Sequence, residues 1–147
     1  MDRTPLDQSP DPVTLAQDYA LATGFPCFFL ALKSPQKSVA EKQDVATTGA
    51  KNDPCCNLLK HLSNMTQQEA AHADLHRFAA YQAERYGGTY LYLCPLSLLH
   101  WASPIINRGM LIGAVIAGPA LLFEPDTLFF EELQNRLGLN DTTMERL

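Results

Sequence analysis

Three consecutive β-forming segments in the second half of the chain constrain the fold more than any other feature of the sequence. Residues 89–94 are rich in aromatic and β-forming side chains, residues 98–106 form a second run, and residues 110–117 form a third. Residues 107–109 read as a three-residue turn whose glycine can adopt positive φ. Short connections favour antiparallel neighbours, so the pattern predicts a meander of three strands.

Helix signals precede this region. Asp11 followed by Pro12 matches an N-cap and a first helical residue, and Gly24 matches the C-terminal stop. The short aromatic run over residues 25–32 predicts a strand. Asp53 and Pro54 repeat the cap signature and predict another helix. Residues 39–47 fit either a weak edge strand or a loop.

Two longer helices complete the pattern. The capping-box residues 66–69 predict a helix that runs to about Tyr86, with Leu75, Phe78 and Ala79 as its larger buried side chains. Pro125 and Asp126 open a last helix, which Gly138 ends. Its apolar face holds Leu128, Leu133 and Leu137. The order of elements predicts an α+β domain in which the helices pack on one side of an antiparallel sheet.

Composition excludes several classes of function. The chain has 147 residues, 46% of them hydrophobic, and a net charge of −5. It can bury a core without disulfides, and it lacks the basic surface that binds nucleic acid or anionic membranes. The longest nearly apolar run, residues 111–123, is too short to span a bilayer. The polar N-terminus shows no signal peptide, so we expect a cytoplasmic protein whose cysteines are thiols.

Histidines and cysteines leave one alternative open. His72 and His76 are four residues apart and could share a metal ion, but a solvated helix face is the simpler interpretation. Cys27, Cys56, Cys94 and His100 would form a metal- or cofactor-binding redox sensor only if the fold brought them together. Buried thiols are otherwise small hydrophobic side chains. No nucleophile elbow, P-loop or dinucleotide fingerprint is present, so no catalytic residue and no enzyme activity are predicted.

The region between Cys94 and Gly118 combines a cysteine, a Pro-Ile pair and a glycine-rich final strand. Its distinctive positions are Cys94, Leu98, Ala102, Pro104, Ile105, Gly109, Gly113 and Gly118. This pattern resembles the PocR sensory-domain family. The family also has an earlier cysteine and aliphatic helix start, which matches Cys56, Leu58 and Leu59, and the similarity covers roughly residues 13–124. Departures from the family pattern are Ser97 for glycine, His100 for an acidic residue, and Pro119 for glutamine.

This resemblance implies a PAS-like fold, an antiparallel β-sheet flanked by helices, that binds a small organic compound. Family members sense simple hydrocarbon derivatives, such as a diol, and are attached to histidine kinases, cyclic-dinucleotide enzymes or AraC-type transcription regulators. We expect a sensory domain over residues 12–138, with residues 139–147 as a tail or linker to an output domain. Residues 1–11 are rich in Pro and Asp, which predicts a flexible lead-in. Independently of the resemblance, the amphipathic terminal helices, residues 13–22 and 128–137, could each lend an apolar stripe to a second copy, so a homodimer is one arrangement that the sequence allows.

Strand periodicity suggests where such a compound would bind. Alternate residues of a strand share a face, which groups Tyr90 with Tyr92 and Cys94, and Leu98 with His100. An apolar floor carrying a few polar groups is typical of small-molecule pockets. The alternative is that the same face is plain hydrophobic core and that His100 is an ordinary buried histidine. No metal ligand and no cofactor are assigned. The candidate ligand-binding residues are Phe28, Cys56, Leu59, Tyr90, Tyr92, Cys94, Leu98 and His100.

Overall fold

The computed structural model describes residues 11–32 and 66–138. Its helices are α1 (Pro12–Thr23), α2 (Thr66–Tyr86) and α3 (Thr127–Leu137), and its strands are β1 (Cys27–Ala31), β2 (Tyr90–Leu93), β3 (Leu99–Asn107) and β4 (Met110–Ala120). The edge strand or loop predicted over residues 39–47 and the helix predicted from Asp53 lie outside the described residues. Within the described ranges, no helix combines the length and apolar character needed to cross a membrane.

The four strands form one antiparallel sheet in the order β1-β4-β3-β2. The meander of β2, β3 and β4 is therefore confirmed, and β1 adds to its β4 edge. On β4, Ile116 pairs with Phe28 of β1 on one side and with Ala102 of β3 on the other. The combination of this sheet with helices confirms the predicted α+β, PAS-like class.

The hairpin between β3 and β4 is tighter than the sequence suggested. Asn107 pairs with Met110, so the turn has two residues, Arg108 and Gly109, and both have positive φ. Two left-handed residues match the right-handed twist of paired strands, which explains the shorter turn. The third strand also extends beyond the predicted residues 110–117, because pairing with β3 carries β4 on to Ala120.

Local capping chemistry sets the ends of two helices as expected. The Asp11 carboxylate accepts a hydrogen bond from the Thr14 backbone N–H at the start of α1, and Gly24 ends that helix in the left-handed conformation. Asp126 caps α3 in the same way, and Gly138 ends it. These signals involve residues within four positions of each other, so the sequence reveals them directly.

Helices cover both faces of the sheet, which corrects the prediction of helices on one side only. Helix α2 packs on the face that carries Phe28, Ala102 and Ile116, whereas α1 packs over the face that carries Trp101 and Val115. The physical reason lies in β4, where residues 113–118 are buried on both faces and therefore need cover on each side.

Small side chains let α2 lie close to the sheet. Ala79, Ala80 and Ala83 are completely buried and belong to the main core cluster. Leu75 is only partly buried against that cluster, and Phe78 is 51% exposed, so the prediction that Phe78 is a core residue is wrong. The helix turns its alanine stripe inward, which leaves the larger ring on the solvent side.

Candidate functional site

Three imidazole rings meet in the core where α2 crosses the β2–β3 end of the sheet. His72 and His76 lie one turn apart on α2, and His100 lies on β3. Their side chains are at most 1% exposed. The ring centroids are 4.3 Å apart for His72 and His76, 5.6 Å for His72 and His100, and 5.4 Å for His76 and His100. We call these three residues the imidazole cluster.

Burial of His72 and His76 overturns the prediction that they lie on a solvated helix face. The two histidines continue the stripe of Ala79, Ala80 and Ala83 at helical spacing, so all five side chains face the sheet. Histidine is counted as polar in a hydrophobicity pattern, which hides this stripe from sequence reasoning. The helical spacing of His72 and His76 with the three alanines was the sequence signal from which the burial of both imidazoles could have been predicted.

Tyr92 connects the imidazole cluster to strand β2. Its hydroxyl lies 2.5 Å from Nδ1 of His76, and both groups are buried. Its ring stacks on His100, directly opposite on β3, at a centroid distance of 5.6 Å. The phenol therefore contacts imidazoles from both the helix and the sheet, and fixes their relative position.

Phe28 forms the apolar floor beneath this part of the site. Its ring meets the ring of His76 edge to face, with centroids 5.5 Å apart. Tyr90, which is half-buried, stacks on Tyr92 at 6.4 Å. The rings of Phe28, Tyr90 and Tyr92 thus place apolar surface around the imidazole cluster. Hydrogen bonds in such surroundings are stronger than in water.

A tight turn after β2 places Cys94 beside His100. The Leu98 carbonyl accepts a hydrogen bond from the Cys94 backbone N–H at 2.9 Å, and the Cys94 carbonyl accepts one from Ser97 N–H at 2.9 Å. Nδ1 of His100 lies 3.3 Å from the same Leu98 carbonyl. One backbone oxygen therefore positions both the thiol-bearing residue and the imidazole.

The close approach of β4 to His100 depends on glycine at position 118. Gly118 has φ of 114°, and a Cβ built there would lie 2.7 Å from the Leu99 carbonyl and 3.1 Å from Cα of His100. The pairing register between β3 and β4 shifts between Leu99 and Trp101, at the same place. This register shift lies on either side of His100 and allows its side chain to point into the core.

Ligand atoms of His72, Cys94 and His100 all lie within 4.8 Å of one another, and all three residues are buried. The fold thus brings Cys94 and His100 together, as the redox-sensor alternative requires. It does not bring Cys27 to them, because Cys27 neighbours Phe28 on β1 and points to the opposite face. Cys56, the fourth residue of that hypothesis, lies outside the described residues.

Most of the predicted ligand-binding residues share this region. Phe28, Tyr90, Tyr92, Cys94 and His100 lie on the α2 face of the sheet, and the Leu98 backbone joins the last two. Cys56 and Leu59 lie outside the described residues. The sequence hypothesis did not include His72 and His76, although they lie at the centre of this group of side chains.

A comparison with protein-family models identifies the chain. Residues 14–147 match the model described as "Sensory domain found in PocR". The chain belongs to the PocR sensory-domain family. The match confirms the resemblance and assigns a sensing role to the domain. Comparisons with curated proteins and with solved structures give no match.

The opposite face of this PocR domain carries a half-open groove between α1 and the sheet. Its volume is about 290 Å³. Two hydroxyl groups, Thr89 Oγ1 and Ser103 Oγ, lie 2.9 Å apart at its wall. None of the predicted binding residues that fall within residues 11–32 and 66–138 lines it. The lining residues are Leu15, Tyr19, Thr89, Trp101, Ser103, Ile105, Val115 and Ala117.

Proposed function

We propose that this PocR domain is the cytoplasmic sensing part of a prokaryotic signal-transduction protein or transcription regulator. It binds a small organic compound, a simple hydrocarbon derivative with one or two polar groups, and does not transform it. Its binding surface is the α2 face around Tyr92 and His100, with Phe28, Tyr90, Cys94 and Leu98 as described neighbours and with Cys56 and Leu59 as further contributors.

The hydrogen bond between the Tyr92 hydroxyl and Nδ1 of His76 is the observation that carries this proposal. It is a directional polar pair that lies beside the apolar core residues Phe28, Ala102 and Ile116. Small-molecule sites combine such an apolar wall with a few polar groups that orient the ligand. A hydroxyl or carboxylate of the compound would hydrogen-bond to the same phenol and imidazole.

The groove under α1 is the competing location. Its volume of about 290 Å³ is at the lower limit of ordinary ligand pockets, which are about 300–1,000 Å³. The hydroxyls of Thr89 and Ser103 already contact each other, and the other lining residues with a polar side-chain group are Tyr19 and Trp101. The α2 face offers a greater variety of donors and acceptors, so we place the compound there and use the groove as the matched control.

Signal transmission would use the helices at the two ends of the domain. Helix α1 packs on β1 and β4, and α3 exposes Leu128 and Phe130. A compound that favours one arrangement of these helices would shift the population seen by an output domain of the same chain or by a second copy. A histidine kinase or a DNA-binding module would serve as that output, so the sensing domain itself needs no contact with nucleic acid or membrane.

Thermal unfolding with a panel of short-chain diols, alcohols and carboxylates tests the proposal. A compound present at about 100 times its Kd should raise Tm by roughly 5–10 °C. In Tyr92→Phe this shift should disappear, whereas Ser103→Ala in the groove should retain it. Retention in Tyr92→Phe with loss in Ser103→Ala would move the site to the groove. The absence of any shift, together with native mass spectra that show no retained compound, would contradict the proposal.

A further inference from the structure

We propose that His72, Cys94 and His100 bind a transition-metal ion of the Zn²⁺ type. Their ligand atoms lie within 4.8 Å of one another, and all three residues are buried. Membership of the PocR family does not assign a metal site to these residues. It does not depend on the organic compound, because the ion would be held by the protein's own side chains.

The donor set determines which metals fit. Two imidazole nitrogens and a thiolate sulfur suit zinc and its neighbours, whereas calcium and magnesium require oxygen ligands. None of the three proposed ligands, His72, Cys94 and His100, is a carboxylate. The site should therefore bind Zn²⁺ and Co²⁺ and discriminate against Mg²⁺ and Ca²⁺.

The geometry requires only a small closure around an ion. Zinc bonds of about 2.0–2.3 Å place tetrahedral ligand atoms roughly 3.3–3.8 Å apart. The observed limit of 4.8 Å means that the side chains need to approach one another by roughly 1 Å, which small rotations about χ1 and χ2 supply. The backbone of α2 and β3 can remain in place.

The Leu98 carbonyl supplies the supporting contact that metal-binding histidines usually have. Nδ1 of His100 lies 3.3 Å from this oxygen. When Nδ1 carries the proton and donates it there, Nε2 presents its lone pair, and such a contact fixes the tautomer and orientation of a ligand. The same carbonyl accepts the backbone N–H of Cys94, so one oxygen aligns two of the three ligands.

His72 brings the third ligand from a different element. It lies on the long helix α2, whereas Cys94 and His100 flank the turn between β2 and β3. An ion bound by all three would therefore link the helix to the sheet, and its binding energy would add to the stability of the fold. Three protein ligands also leave one coordination position for water or for a polar group of a sensed compound. Only the binding of a sensed compound at that position rests on the proposed function.

A variant that keeps Cys94 as the single thiol provides the decisive experiment. The chain contains four cysteines, so replacing Cys27, Cys55 and Cys56 with Ser leaves only Cys94. Metal-free protein is titrated with Co²⁺ while the near-ultraviolet sulfur-to-cobalt absorption band is recorded. We expect one Co²⁺ per chain, a thiolate band in this variant, and complete displacement by Zn²⁺. Absence of the band would overturn the proposal.

Single substitutions measure the contribution of each ligand. Cys94→Ser and His72→Gln should each weaken Zn²⁺ binding by at least about 100-fold, more than the loss of a supporting contact usually costs. Cys27→Ser, on the opposite face, should bind like the parent chain. Circular dichroism of the metal-free variants checks their fold. If one of them does not fold, the cobalt band of the single-thiol variant remains the deciding measurement. Equal Zn²⁺ affinity in Cys94→Ser and the parent would contradict the site. The titration contains no organic compound, so its result is separate from the unfolding test of sensing.

Discussion

The Tyr92 hydroxyl and Nδ1 of His76 lie 2.5 Å apart in the core and join the edge strand β2 to helix α2. Strand β2 pairs only with β3 in the described sheet, so this contact adds a directional tie on its helix-facing side. A hydrogen bond in apolar surroundings is stronger than one in water, and losing one partner leaves the other buried. The pair is therefore important for stability as well as for the proposed ligand contact.

Removing the hydroxyl at position 92 should destabilise the domain. Tyr92→Phe keeps the ring and its stacking on His100, but deletes the bond to His76, and we expect the free energy of unfolding to fall by about 1–2 kcal/mol. Urea unfolding followed by circular dichroism measures the change. Tyr81→Phe is the matched control, because Tyr81 is 51% exposed. Similar unfolding curves for the two variants would show that the buried bond contributes little.

Adding a methyl group at Gly118 should displace the strand beside His100. Gly118→Ala combines positive φ with a Cβ only 2.7 Å from the Leu99 carbonyl, so the expected loss is about 2–5 kcal/mol. Gly88→Ala, where nothing lies within 4 Å of the added Cβ, should unfold like the parent. Thermal and urea unfolding of both variants check this. A stable Gly118→Ala protein would mean that β4 can move away without cost.

The carboxylate at position 11 should stabilise helix α1. Asp11→Ala removes the acceptor of the Thr14 N–H, and loss of an N-cap typically costs about 1 kcal/mol. Helix α1 packs on β1 and β4, so the loss should appear in the unfolding of the domain. Asp11→Asn retains a capping oxygen and should restore most of the stability. An equal loss in both variants would assign the effect to charge and not to capping.

The Cys27 thiol should make stability depend on pH above neutrality. Burial raises the pKa of Cys27 from 9.0 to about 11, and a hydrogen bond from the Phe28 backbone N–H offsets part of this. The unfolded chain releases the proton near pH 9, whereas the folded protein retains it, so this contribution is present below pH 9 and is lost as pH rises towards 11. Urea midpoints of parent and Cys27→Ser should diverge in that window. Parallel pH profiles would contradict the prediction.

Local patterns in the sequence predict the elements well. Caps at Asp11 and Asp126 and stops at Gly24 and Gly138 set helix ends because each acts within one turn. The β-forming runs predict the β2–β4 meander for the same reason, since consecutive strands with short connections pair with each other. The turn at Arg108 and Gly109 was misjudged by one residue, because register depends on pairing across both strands.

The sequence by itself determined the helix ends, the meander, and the grouping of Tyr90, Tyr92 and Cys94 on one face, because capping and strand alternation act between near neighbours. Only the tertiary structure decided that His72 and His76 are buried beside Cys94 and His100. That outcome depends on which face of α2 meets the sheet, and this face is selected by contacts between residues far apart in the chain. Imidazole side chains suit both solvent and core, so no local rule assigns them to either.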